Sequence, residues 1–201
     1  MSYRRIWLRT RSAGFKRAIA SALFALAAAF LGSHDIARAD EAAWEHLKNG
    51  GIVLFRHTLA PGTGDPDNFT LGDCSTQRNL NETGRQDARK IGQAFRDRGI
   101  AVGDVLTSQW CRCVDTAELA FPGQVTEQPA FNSFFQNRAK GPEQTDAARD
   151  LLSNWSGEGA LVVVTHQVNI TALTNIFPTS GEGIVINIHD GEIGVVGRIQ
   201  L

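Results

Sequence analysis

Two short runs constrain this chain more than any other feature. Ile52-Val53-Leu54-Phe55 and Leu161-Val162-Val163-Val164-Thr165 are almost without polar residues. A strand with one wet face alternates apolar and polar side chains, so an unbroken apolar run suits a strand buried on both faces, as in a parallel sheet. Each run also stops abruptly. Arg56-His57 ends the first and His166 the second, putting charge and imidazole where buried backbone emerges.

The segments between them read as helices and further strands. Asp40 to Lys48 is a short helix stopped by Asn49-Gly50-Gly51. Thr83-x-x-Gln86 has the spacing of a capping box, Ala88, Ile91 and Phe95 follow at helical period, and Gly99 ends the element. Val102 to Thr107 reads as a strand and Trp110 to Ala120 as an amphipathic helix. Ala148, Leu151, Leu152 and Trp155 mark a third helix closed by Gly157. Ile184 to Ile188 and Ile193 to Ile199 flank Asp190-Gly191, a hairpin turn signal. Strands alternating with helices predict an α/β fold with a mostly parallel sheet covered on both faces and an antiparallel C-terminal hairpin. Residues 58 to 80, with Pro61, Gly62, Gly64, Pro66 and Gly72, form a loop long enough to expect a functional role.

Residues 1–39 read as an export signal rather than as part of the fold. Arg4, Arg5, Arg9, Arg11, Lys16 and Arg17 make a basic start, Ala18 to Leu31 an apolar stretch, and Ala37-Arg38-Ala39 a small-x-small cleavage site. The apolar stretch is shorter than the ~20 residues of a spanning helix, so no stable membrane span is expected after cleavage. One domain would remain over residues 40–201, exported to the periplasm or secreted. Cleavage takes seven of the 20 Lys+Arg and one of the 21 Asp+Glu, leaving 13 against 20, a formal charge of −7. Such a body repels polyanions, which argues against nucleic acid as a partner. An exported chain with three cysteines, Cys74, Cys111 and Cys113, is expected to form one disulfide. Cys111 and Cys113 are too close on a helix to pair with each other. Cys74 is the shared partner, and either may bond it.

Ligands of such sheets bind beyond the carboxyl ends of the strands. Three segments would meet there: Arg56-His57, Ser108-x-x-x-Arg112 and Thr165-His166. Two histidines and two arginines in one crevice suit phosphoryl transfer. The guanidinium fork matches phosphate oxygens and keeps its charge at any working pH. A neutral imidazole can attack phosphorus and carry it as phosphohistidine until water hydrolyses it.

"LFRHTLAPG", "SQWCRCVDTA" and "VVTHQVNITAL" resemble, in order, the signature segments of the histidine phosphatase (phosphoglycerate mutase-like) superfamily, and "LNETGRQDARKIG" resembles the helix after its first loop. The resemblance implies a three-layer α/β/α sandwich, His57 as nucleophile, and Arg56, Arg112 and His166 as the groups that bind the phosphoryl. It implies no metal and no cofactor. Arg78, Asn79, Ser108, Gln167 and Asn169 are further candidates for substrate contacts. The superfamily includes a periplasmic phosphatase of lipopolysaccharide-core heptose, so the expected substrate is a phosphorylated small molecule or an envelope component.

One departure matters. Many relatives place a glutamate, the proton donor to the leaving group, where "PAFNSFF" has Asn132 and Ser133, and another branch has an acid where Gln167 stands. A missing acid costs on the order of 10²–10⁴ in rate with a poor leaving group. Asp65 or Asp67 on the long loop, or Glu127, would have to supply the proton, or the substrate must have a good leaving group such as a phosphoramidate, acyl phosphate or pyrophosphate. Two rival readings exist. His57, His166 and a cysteine as a metal site match no standard ligand spacing and would sit beside two repelling arginines. A non-catalytic phosphate-binding module would account for the missing acid, but has no use for a nucleophile.

Overall fold

The computed structural model describes residues 40–201, and the expected leader lies outside the described residues. Residues 40–48 are helical (α1). There follow β1 (Ile52–Arg56), α2 (Glu82–Asp97), β2 (Val102–Thr107), α3 (Cys111–Ala120), β3 (Val125–Glu127), α4 (Gly141–Ser153), β4 (Ala160–Thr165), α5 (Gln167–Thr174), β5 (Gly183–His189) and β6 (Glu192–Ile199). The strands form one sheet in the order β3-β2-β4-β1-β5-β6. Pairing is parallel from β3 through β2 and β4 to β1, and antiparallel from β1 through β5 to β6. This is the α/β fold with a mostly parallel sheet and an antiparallel C-terminal pair that the pattern predicts.

The two apolar runs are the middle of that sheet. Successive side chains of a strand point to opposite faces, so an unbroken apolar run feeds two cores. Val53 and Phe55 of β1, with Val162 and Val164 of β4, pack with Leu47, Ile91, Phe95 and Ala117 from α1, α2 and α3. Ile52 and Leu54, with Leu161 and Val163, pack with Ala148, Leu152, Ile170 and Leu173 from α4 and α5. Phe95 anchors the first core, edge-on to Trp44 and Phe121 with centroids 5.4 and 5.2 Å away. At the far edge, Asp190 and Gly191 both take positive φ, +52° and +79°. That two-residue turn matches strand twist and sets His189 opposite Glu192.

Two local expectations change and one open choice closes. Asn81, not Thr83, caps α2: its side chain accepts from the Gly84 N–H at 2.8 Å. Asparagine with extended backbone is a better cap than a threonine already inside the first turn. The third helix of the sequence reading is Gly141–Ser153, with Pro142 in its first turn where no amide is missed. Trp155 lies beyond it and donates its indole N–H to Asp104 at 2.8 Å. The open choice of disulfide resolves to Cys74–Cys111, with Cys113 buried and free. No helix of the described residues is long and apolar enough to cross a membrane.

Candidate active site

The sheet delivers three residues to one edge. Arg56 pairs with Thr165 across β1 and β4, and Thr107 with Val164 across β2 and β4. The next residues, His57, His166 and Ser108, therefore emerge side by side. Backbone bonds continue the ladder past the strands, from His57 N–H to Thr165 O at 2.9 Å and from Ser108 N–H to Val164 O at 3.0 Å. Arg112 sits in the first turn of α3, which starts three residues after Ser108. With Asp65, Arg78 and Gln167 these groups line a cavity of about 230 Å³, although Ser108 stays behind His166 rather than in the wall.

His57 is 3% exposed. Its Nδ1 lies 2.8 Å from the Thr58 carbonyl. A carbonyl only accepts, so Nδ1 carries the proton and the Nε2 lone pair is free. Burial and the charge of Arg112 hold the ring well below the ordinary histidine range, and the bond to Thr58 only partly opposes them. The imidazole is neutral at pH 7, with a lone pair that could attack an electrophile. Thr58 is itself fixed, its N–H and hydroxyl both meeting Thr116 Oγ1 at 3.2 and 3.1 Å.

His166 stands edge-on to His57, ring centroids 5.6 Å apart. Arg112 Nη2 can only donate, so His166 Nδ1 accepts from it at 3.5 Å and Nε2–H donates to Ser108 Oγ at 2.8 Å. Ser108 in turn donates to Asn132 Oδ1 at 3.2 Å. Burial and Arg112 lower this histidine too, so it is also neutral. Behind it lies Cys113, Sγ 3.5 Å from Nε2, whose thiol burial pushes up to about 12. It stays protonated.

Arginines dominate the charge. Arg112 grips Asp65 through two bonds, Nη1 to Oδ1 at 2.6 Å and Nη2 to Oδ2 at 3.1 Å, both side chains almost fully buried. Asp65 also accepts from Trp110 Nε1 at 3.0 Å and from the Arg78 N–H at 3.4 Å. Burial alone would raise its carboxyl, but these donors, Arg112 foremost, outweigh that and hold it below the usual range. Arg56 donates Nη1 to Pro178 O at 3.0 Å, and Arg78 donates Nε to Gly64 O at 2.8 Å. Arg56 Nε and Arg112 Nε are buried with no partner among the described residues. Three cations, one carboxylate and two unspent N–H groups make a site for an anion with more oxygens than Asp65 provides.

The remaining candidates divide. Gln167 lines the cavity, with Nε2 donating to Thr171 Oγ1 at 2.8 Å. Asn79 does not: it donates to Cys74 O at 2.7 Å and braces the loop. Asn169 is buried behind the site, donating to Asn132 O at 2.9 Å. Asp67 and Glu127 are exposed and outside the cavity wall. Sequence reasoning missed Thr58 and Trp110, which orient His57 and Asp65, and Phe135 and Phe177, which wall the cavity mouth. Trp110 lies within "SQWCRCVDTA" and was findable. Phe177 lies just past the end of "VVTHQVNITAL", in a stretch with no pattern that marks it. Among the described residues no three His, Cys, Asp or Glu gather as a metal-holding group.

A family model described as histidine phosphatase superfamily (branch 1) matches residues 52–149. No curated protein matches the chain in sequence. Among solved structures, the fold is similar to phosphoserine phosphatase of Entamoeba histolytica in complex with 3-phosphoglyceric acid, at 13% identity and TM-score 0.54, over 76% of this chain and 98% of that one. It is similar to the alpha-ribazole phosphatase of Shigella flexneri at 14% identity and TM-score 0.51, covering 72% and 93%. The protein histidine phosphatase SixA complexed with tungstate matches at 14% identity and TM-score 0.50, covering 74% and 95%. The order of motifs, the sheet that brings them together and the family model agree: over residues 52–149 this chain matches the histidine phosphatase superfamily.

Proposed function

We propose that the protein is a phosphatase that hydrolyses its substrate through phosphohistidine on His57, in an exported and periplasmic or secreted protein. The observation that carries this is His57 itself: neutral, its proton tied to Thr58 O, its Nε2 free in a cavity shared with Arg56, Arg78 and Arg112. Nε2 attacks phosphorus, the bond to the leaving oxygen breaks, and water then cleaves the N–P bond to release phosphate. Throughout, Nδ1–H stays on Thr58, which balances the positive charge the ring gains when Nε2 is phosphorylated. The arginines stabilise charge on the phosphoryl oxygens in flight, the role a metal plays elsewhere. Ser108 and Arg112 together hold His166 with its proton on Nε2.

Phosphatase activity in the named neighbours supports the reading, and so does the Cys74–Cys111 disulfide for an oxidising compartment. Phe135, Phe177 and Val168 beside uncharged Ser133, Gln136 and Gln167 suit a leaving group without further phosphates, either a small molecule or an envelope component. The test is phosphate release from p-nitrophenyl phosphate by residues 40–201, wild type against His57→Ala, with trapping of an acid-labile phosphoenzyme and a parallel run in chelator. Release that needs His57 and not metal is expected. Equal release by the variant sinks the mechanism. No release by a folded wild type turns the site into a phosphate-binding module.

A further inference from the structure

The most unusual feature of the cavity is that its central arginine is already engaged. Asp65 presents two oxygens to the Arg112 fork, at 2.6 and 3.1 Å, in the manner a phosphoryl group would. Both side chains are nearly inaccessible, 3% and 4% exposed. A phosphate ester cannot use both Nη atoms of Arg112 while Asp65 holds them. Asp65 is also the one carboxylate lining the cavity among the described residues. Resting on the phosphatase reading above, we propose that Asp65 exchanges with the substrate phosphoryl on Arg112 and, once displaced, is the acid that protonates the leaving oxygen.

The loop is built for such a movement. Asp65 follows Gly62 and Gly64, both at positive φ, +93° and +71°, so the segment turns without displacing β1. Besides the bonds of the Asp65 carboxylate, two bonds hold the segment, Gln136 Nε2 to Asp65 O at 3.2 Å and Arg78 Nε to Gly64 O at 2.8 Å. The charged and titratable groups that share the site are Arg56, His57, Arg78, Arg112 and His166, with Cys113 behind His166. In the resting state Arg112 keeps Asp65 ionised. A bound dianion reverses both influences: it takes Arg112 away and sets negative charge beside the carboxyl, which then favours the protonated form. Asp65 takes up a proton from solvent on binding. It gives that proton to the leaving oxygen as the O–P bond breaks and the Nε2–P bond forms. The resulting carboxylate takes a proton from the water that cleaves the N–P bond.

Two measurements test this, on wild type and Asp65→Asn, each first checked by thermal melting. Sulfate, a tetrahedral dianion whose charge is constant near neutrality, is titrated calorimetrically at pH 7 in buffers of different ionisation heat. Wild type is expected to take up a proton on binding. Asp65→Asn is expected to bind sulfate several-fold more tightly and with less uptake, since the competing charge is gone. Kinetically, the ratio of kcat on a simple alkyl phosphate to kcat on p-nitrophenyl phosphate is expected to fall by about 10² or more in the variant, because only the poor leaving group needs the proton. Weaker sulfate binding by the variant, no proton uptake by wild type, or an unchanged ratio overturns the proposal. If wild type hydrolyses neither ester the phosphatase reading fails, yet the sulfate titration still decides the exchange. Should Asp65→Asn not fold, proton uptake by wild type alone decides it.

Discussion

Reduction of the Cys74–Cys111 disulfide should destabilise the domain and loosen the site together. The bond joins residues 37 apart in sequence, from a short turn in the long loop to the first residue of α3. Closing a loop of that length removes unfolded-chain entropy worth about 4 kcal/mol at 25 °C on the chain-entropy relation. For a domain of this size each kcal/mol moves Tm by about 2–4 °C, so roughly 8–16 °C should be lost. Noncovalent ties remain, since Gln77 Oε1 accepts from the Cys111 N–H at 3.0 Å and Asp65 stays on Arg112, so the folded state should survive. The same loop carries Asp65 and Arg78, while Arg112 follows Cys111 directly, so substrate KM should rise as well. Thermal and urea unfolding of wild type with and without reductant, beside Cys74→Ser, read the first effect. Steady-state kinetics on p-nitrophenyl phosphate read the second. A Tm change under about 2 °C would refute the reasoning, because it would mean the loop is equally ordered by its noncovalent contacts in the native state and by residual structure in the unfolded one.

Two further outcomes follow from the same geometry. His57 and His166 are held well below 6.5, so between their folded values and 6.5 the unfolded chain binds the extra protons and stability falls as pH falls. Each group contributes a slope of up to about 1.4 kcal/mol per pH unit in that window. Asp65, lowered from 3.8, adds stability above that value that is lost at still lower pH. Urea midpoints should therefore drop from pH 7.5 to pH 5 and the drop should shrink in His166→Gln; a flat profile contradicts the assignment of two neutral rings. Gly92 of α2 faces α3 so closely that a Cβ would lie 1.9 Å from Ala120 O. Gly92→Ala should push the helices apart and cost about 1–3 kcal/mol or more, read as a lower urea midpoint, despite alanine's better helix propensity. A gain in stability there would show that the helix pair is free to separate.

Much of the fold was legible because it depends on local patterning. Alternation put Val53 and Phe55 in one core and Ile52 and Leu54 in the other, and Asp190-Gly191 announced its hairpin through backbone preference alone. Elements whose identity rests on tertiary contact were not legible. β3 is three residues long and exists by pairing with β2, and α5 begins directly after β4 ends at Thr165, with His166 between them. Of the candidate site residues, those at strand ends fell where the sheet rule puts them. Asn79 and Asn169, read as possible contacts, lie outside the cavity wall and donate to backbone carbonyls, since a short amide in a loop or behind a strand finds the nearest acceptor first.

By itself, then, the sequence determined the layers of this protein and the set of side chains brought to one edge of its sheet, because period and strand ends are properties of neighbouring residues. It could name two loop aspartates but not separate them. Only the tertiary structure folded Asp65 onto Arg112 and left Asp67 exposed, joined Cys74 to Cys111 rather than to Cys113, and brought Phe177 to the cavity wall. Those outcomes depend on distances between residues tens of positions apart, which sequence spacing does not encode and packing does.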